Sequence, residues 1–191
     1  MKTVELRRHT ASDGDRLTAE GIRAAVEIGG QLAEQYDLLV SSGAQRATQT
    51  LACFLAGCGK RFPAGVSVDQ AFRSADEDRW FAAAKQSRDG GLERFLEVDR
   101  SLVDEESDRF GSALRRVFDA LPDGGRALIV GHSPMHEVAI YGVTGTIVPP
   151  ISKGAGVLLV QEDGDVRVVA GPSISLQEAI APSAPSRTEG M

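Results

Sequence analysis

Cysteine is nearly absent from this chain of 191 residues, with Cys53 and Cys58 its only two. Two cysteines cannot build the disulfide framework of a small secreted domain, and no Cys/His spacing matches a structural zinc site. The pair is read as reduced, in or beside a helix, and a cytoplasmic protein is expected. Positive charge is also in deficit: 21 Lys and Arg stand against 27 Asp and Glu, a net charge of -6. A primary role on nucleic acid is therefore disfavoured. An anionic small molecule can still be bound if cations are gathered locally. Long apolar runs are missing too. Leu38-Leu39-Val40 and Val157-Leu158-Leu159-Val160 are strand length, well short of the ~20 residues of a membrane-spanning helix. Met1 to Leu6 shows no apolar signal segment, so a soluble protein is expected. No repeat or linker divides the sequence. Residues 1–181 are assigned to one domain, and 182–191, rich in Ser, Pro, Ala and Gly, to a disordered tail.

What is present alternates between strand and helix patterns. Val4 to Arg8 predicts a strand opening into a polar loop, Thr10 to Arg16. Thr18 is placed to cap a helix whose apolar positions Ile22, Ala25, Val26, Ile28 and Leu32 keep helical spacing. Asp37 to Ser41 predicts a buried strand, Ala44 to Leu55 a second helix, and Val66 to Val68 a third strand. Asp76 to Leu121 is charged and helical in pattern, predicting two helices broken near Asp89-Gly90-Gly91. Ala127 to Gly131 predicts a strand that feeds a helix after Pro134. Gly156 to Val160 and Val166 to Ala170 flank a hairpin turn at Glu162-Asp163-Gly164-Asp165. The alternation implies an α/β domain, a three-layer α/β/α sandwich around a largely parallel sheet. Such sheets bind ligands beyond the carboxyl ends of their strands.

Three polar clusters fall at those ends. Arg8-His9-Thr10 follows the first strand, Ser41-Ser42-Gly43-Ala44-Gln45-Arg46 the second, and Gly131-His132-Ser133-Pro134 the late one. Two arginines and two histidines thus converge from distant parts of the sequence. Guanidinium forks match phosphate oxygens bidentately, and helices starting near Ala44 and Ser133 would add N–H donors for an anion. Each fragment alone is weak, and their joint placement carries the reading.

In order, these segments resemble the histidine phosphatase superfamily, the phosphoglycerate mutase-like family. The resemblance rests on Leu6-Arg7-Arg8-His9-Thr10, on Leu17-Thr18-Ala19-Glu20-Gly21, on Ser41 to Thr50 and on Val130-Gly131-His132-Ser133-Pro134. Glu106-Ser107, followed by Arg115 or Arg116, adds an echo in the helix before the late strand. The resemblance implies that His9 is the nucleophile and becomes phosphohistidine. It implies that Arg8, Arg46 and His132 hold the phosphoryl oxygens, with the Ser133 amide as a further donor. It also implies a phosphatase that needs no metal and no cofactor, acting on a small phosphorylated substrate or a phosphohistidine protein. Physical chemistry agrees: a nucleophilic imidazole has to be neutral, and nearby cations depress its pKa while stabilising the transferring phosphoryl group.

This sequence departs from the family pattern at three places. Thr10 stands where glycine is commonest, Gly43 where proline is, and Ser74 where a proton-donating glutamate is usual. Glu77 is assigned the missing acid's role, with Asp76 as the alternative. The loop from His9 to Leu17 is short, which resembles the compact phosphatases more than the glycolytic mutases. A phosphoglycerate-type mutase and a non-catalytic phosphate-binding protein stay as alternatives, and the oligomeric state is left open. His132, His136 and Glu137 superficially suggest a metal site, but His132 is expected at a strand end, outside regular helical spacing. Trp80 and Phe81 could wall the pocket, but aromatics in such a segment are more often core.

Overall fold

Alternation along the first strand decides how the layers form. In β1 (Lys2–Arg8), Val4 and Leu6 enter the larger apolar core on one face of the sheet. Glu5 and Arg7 point to the other face, where they pair with each other and Glu5 accepts from the Tyr36 hydroxyl at 2.7 Å. The computed structural model describes residues 1–32, 35–59, 62, 65–87 and 91–170. The expected tail and the end of the assigned domain, residues 171–191, lie outside them.

Strand β1 pairs in parallel with β6 (Arg126–Gly131) and antiparallel with β7 (Gly156–Glu162). β4 (Leu38–Ser41) and β5 (Ser67–Val68) continue the parallel half, and β8 (Asp165–Ala170) closes the other edge. The sheet has six strands in the order β5-β4-β6-β1-β7-β8. The β7–β8 hairpin turns on Asp163 and Gly164, both at positive φ (51° and 90°), as a two-residue turn matched to strand twist requires.

One face carries α1 (Ala19–Gly29) and α2 (Gln45–Cys58), over a core that includes Leu39, Leu51, Phe54, Leu128 and Val130. The other carries α3 (Glu77–Ser87), α4 (Leu92–Val98), α5 (Arg100–Ala120) and α6 (Met135–Thr144), whose apolar residues join the Val4 and Leu6 core. Helices thus cover both faces of a mostly parallel sheet, the three-layer arrangement expected from the alternation.

Three details differ from the sequence reading. The buried row of α1 is Gly21, Ala25 and Gly29 rather than its larger apolar residues; Ile22 and Val26 stay 45% and 40% exposed. Gly29 lets α1 approach α2 closely, since a Cβ there would come 2.2 Å from the Phe54 carbonyl oxygen, so bulk turns outward. The polar loop after His9 folds into a miniature hairpin, β2 (Ser12–Asp13) and β3 (Arg16–Leu17). The charged segment holds three helices rather than two, because the chain breaks again at Asp99. The Asp99 carboxylate caps α5 by accepting from the Leu102 N–H at 3.1 Å, and its two oxygens take the Arg79 guanidinium at 2.7 and 2.8 Å. Of the break expected near Asp89-Gly90-Gly91, Gly91 caps α4 and residues 88–90 lie outside the described set.

Candidate active site

The carboxyl ends of β1, β4 and β6 bring Arg8, His9, Arg46 and His132 to one cavity of about 240 Å³. His9 follows β1 directly, and its backbone N–H donates to the Gly131 carbonyl at 3.0 Å, which locks the two strand ends together. Its ring Nδ1 lies 2.8 Å from the Thr10 carbonyl. A carbonyl oxygen only accepts, so Nδ1 carries the hydrogen and Nε2 keeps its lone pair. Burial pushes the imidazole pKa down to about 4; the Thr10 bond opposes this, and the charges of Arg46, Arg8 and Lys153 add to it. At neutral pH, the His9 imidazole is therefore uncharged, with Nε2 free of a proton.

His132 follows β6, and its ring lies 5.3 Å from that of His9. Its Nδ1 faces Arg46 Nη2 at 3.3 Å and its Nε2 faces Ser42 Oγ at 2.9 Å. Guanidinium only donates, so Nδ1 accepts and Nε2–H donates to the serine. Burial, then Arg46, His9, His136 and Arg73, drive its pKa down to about 2. Arg8 is half-buried and donates from Nη1 to the Ile151 carbonyl at 2.9 Å.

Arg46 stands in the first turn of α2, where Ala44 offers no side-chain cap. Asp15, from the miniature hairpin, supplies one instead: it accepts from the Gln45 and Arg46 N–H groups at 3.1 and 3.4 Å, and from Arg46 Nη1 at 2.9 Å. Its partial burial alone would raise the carboxyl pKa. Those two N–H bonds and the Arg46 charge overcome that and hold it below its ordinary range. Asp15 thus aims the guanidinium whose other nitrogen meets His132. The sequence reading missed it as one acid of a polar loop.

The remaining motif residues hold the hairpin and loop in place. Thr18 caps α1 by accepting from the Gly21 N–H at 3.0 Å, and a Cβ on Gly21 would come 2.0 Å from the Ala11 carbonyl oxygen. Glycine is required there for α1 to lie against the loop behind His9. Thr10 donates to the Gly21 carbonyl at 2.9 Å, and Thr50 Oγ1 accepts from the Thr10 N–H at 3.2 Å. Gln49 accepts from the Leu17 N–H at 2.9 Å. Gly43 has φ +87°, which suits glycine at the turn into α2.

Ser133 donates its hydroxyl to Glu137 at 2.5 Å, and the same carboxyl oxygen accepts from the Ile151 N–H at 2.7 Å. Burial pushes the Glu137 carboxyl up. This residue, considered in sequence only as a metal decoy, ties the Ser133 turn to the segment that holds Arg8. His136 turns away from the cavity and faces the Arg7 carbonyl through Nε2 at 3.0 Å. Its backbone N–H does donate to the His132 carbonyl at 2.9 Å, so the chain makes one helical turn there although the two rings diverge. Among the described residues, no group of three or more His, Cys, Asp and Glu is placed to hold a metal ion. None of their helices is long and apolar enough to cross a membrane.

At the outer end, Ser74 is buried on the cavity wall and its hydroxyl accepts from the Asp76 N–H at 3.0 Å. Glu77 lines the cavity with its carboxylate 2.9 Å from Arg73 Nε, whereas Asp76 is exposed and lies outside the lining. Trp80 is both core and wall. It packs edge-on against Phe95 with centroids 5.2 Å apart, and its indole N–H reaches Glu106 at 3.4 Å. Glu106 also holds Arg109, which donates to the Arg73 carbonyl at 2.9 Å, so α5 braces the whole wall.

No protein-family model and no curated protein matches this sequence. Solved structures do. A phosphoserine phosphatase from Entamoeba histolytica in complex with 3-phosphoglyceric acid superposes with a TM-score of 0.68 at 17% identity, over 91% of this chain and 98% of that one. Mycobacterial glucosyl-3-phosphoglycerate phosphatase gives 0.69 at 17% identity, over 91% and 99%. A phosphoglycerate mutase from Bacillus anthracis gives 0.67 at 17% identity, over 87% and 90%. The chain has the phosphoglycerate mutase-like α/β fold of these enzymes.

Proposed function

We propose that this protein is a histidine phosphatase that hydrolyses phosphate esters through a phosphohistidine on His9. The observation that carries the reading is the state of His9: neutral, with Nδ1–H committed to Thr10 and the Nε2 lone pair available beside three groups suited to phosphoryl oxygens. Nε2 attacks phosphorus as the bond to the leaving oxygen breaks on the opposite side. The imidazole turns cationic as the N–P bond forms, and the Thr10 carbonyl stabilises that charge. Arg8 and Arg46 balance the negative charge on the phosphoryl oxygens, the Ser133 amide adds a donor, and His132 joins them when its Nε2–H exchanges Ser42 for a phosphoryl oxygen. Glu77, at the mouth, gives a proton to the departing oxygen. A carboxylate engaged by a guanidinium is an acceptor, so the Arg73–Glu77 pair has to open and Glu77 has to take up a proton from solvent before this step; the attacking water of the second step returns it. Water then attacks the phosphohistidine, releasing phosphate and restoring neutral His9. The chemistry engages no metal.

The mutase reading asks for a site that re-presents a bound product to the phosphohistidine, and the short hairpin after His9 leaves little protein there to enclose one. Trapping the intermediate tests the proposal. Alkaline quench during turnover of an aryl phosphate should yield a base-stable, acid-labile phosphoryl adduct, absent from His9→Ala, which should keep its fold but lose turnover. Chelators should leave the rate unchanged. Substantial turnover by His9→Ala ends this reading.

A further inference from the structure

We infer that the substrate's leaving group is apolar, an aryl or similarly bulky hydrocarbon, and not a carboxylate-bearing group; this rests on the phosphatase reading above. The cavity is divided in chemical character. Beyond the phosphoryl cluster, its lining is mainly apolar: Trp80, Phe81, Ala84 and Phe95 from α3 and α4, with Pro134 and Met135, beside the polar Arg73, Ser74 and Glu77. A leaving group extending away from His9 meets this surface. Phe81 is the telling residue: among the described residues it is the one aromatic in the exposed large hydrophobics, at 64%, yet it lies on the cavity lining. Exposing an aromatic ring costs apolar hydration that a ligand ring laid against it would recover.

Charge argues the same way. A phosphorylated hydroxy acid or amino acid carries a carboxylate that needs its own cation, beyond those on the phosphoryl group. Among the described lining residues, the one arginine outside the phosphoryl cluster is Arg73, and Glu77 already engages it at 2.9 Å. Glu77 would also repel an incoming carboxylate. With Glu77 tied to Arg73 until that pair opens, leaving groups that depart with little protonation depend least on it, and aryl oxides are of that kind.

The test is a substrate panel joined to a binding panel. Wild type should favour 2-naphthyl phosphate over phosphoserine and 3-phosphoglycerate in kcat/KM by tenfold or more. Phe81→Ala should shrink that ratio by about tenfold, the worth of roughly 50 Å² of apolar contact at ~25 cal/mol/Å². Phe81→Arg, which adds a free cation, should move the ratio further toward the carboxylated substrates. Calorimetry with the non-hydrolysable 2-naphthylmethylphosphonate and 3-phosphonopropionate reads the same preference without turnover. Binding preference for the naphthyl ligand in a protein that hydrolyses nothing would sink the phosphatase reading and, with it, any leaving group, leaving only an apolar ligand site. Turnover with equal or better use of phosphoserine, or an aryl preference indifferent to Phe81, would overturn the inference and leave the phosphatase reading intact.

Discussion

At the inner end of the cavity, His9, His132 and Arg46 are held by directed bonds from Thr10, Ser42 and Asp15. At the outer end, Trp80 and Phe95 are held chiefly by packing of α3 and α4 against α5, with Phe81 left at the rim. The first end tolerates little, because each donor has one partner and one direction. The second can change its lining residues while the helices beneath stay put. The two ends of the cavity are thus built of separate materials, polar bonds at strand ends and apolar surface on helices.

The harshest way to break this contrast is a conservative change at the inner end. Arg46→Lys keeps the charge but loses the fork that spans Asp15 and His132. Steady-state kinetics should show kcat/KM lower by about 10²–10³-fold on every substrate, the usual cost of an oriented transition-state donor. A loss under tenfold would mean that charge alone suffices there.

Glu77→Gln sharpens the comparison by splitting substrates. If Glu77 donates the proton, an alkyl phosphate should lose about 10²-fold in kcat while an aryl phosphate changes by threefold or less. Glu77 is partly exposed and joins Arg73 at the surface, so the fold should survive. Equal losses on both substrates would make the residue an organiser of the wall instead.

The smallest effect lies in acid stability. His9 and His136 are held near 4 and His132 near 2, chiefly by burial, against about 6.5 in an unfolded chain. Between those values the unfolded chain binds more protons, so stability is greatest above about pH 6.5 and falls as pH drops toward 4. Glu137 works in the opposite sense: its raised carboxyl contributes stability at low pH that is lost as pH rises through its folded value. The three histidines act together in one direction, and Glu137 alone in the other. Thermal unfolding from pH 7.5 to 4.5 should therefore show a falling Tm, and His136→Gln, which keeps a donor toward the Arg7 carbonyl, should flatten the slope. A Tm that held constant to pH 4.5 would contradict neutral burial of these rings.

How much of this was legible beforehand follows from the range of each interaction. Strand ends at Arg8, Ser41 and Gly131 could be read because alternation and apolar runs are local, and the residues that follow them carry their chemistry in their side chains. Thr18 as a cap and Asp163-Gly164 as a turn were legible for the same reason. The break at Asp99 escaped because an aspartate in a charged helical segment looks like one more solvated acid until Leu102 and Arg79 meet it. Asp15 escaped because its partner Arg46 lies 31 residues away.

By itself, then, the sequence determined the α/β alternation, the three strand-end clusters and the residue types suited to a phosphoryl group, all properties of short segments. Only the tertiary structure decided the tautomers of His9 and His132, the aim of Arg46, the burial of Glu137 and the exposure of Phe81. Those depend on partners 90 residues apart, as Ser42 and His132 are, or 143, as Arg8 and Ile151 are. Sheet order β4-β6-β1-β7 brings such partners together, and hydrogen bonds act only over about 3 Å, so no local pattern can encode which of them will meet.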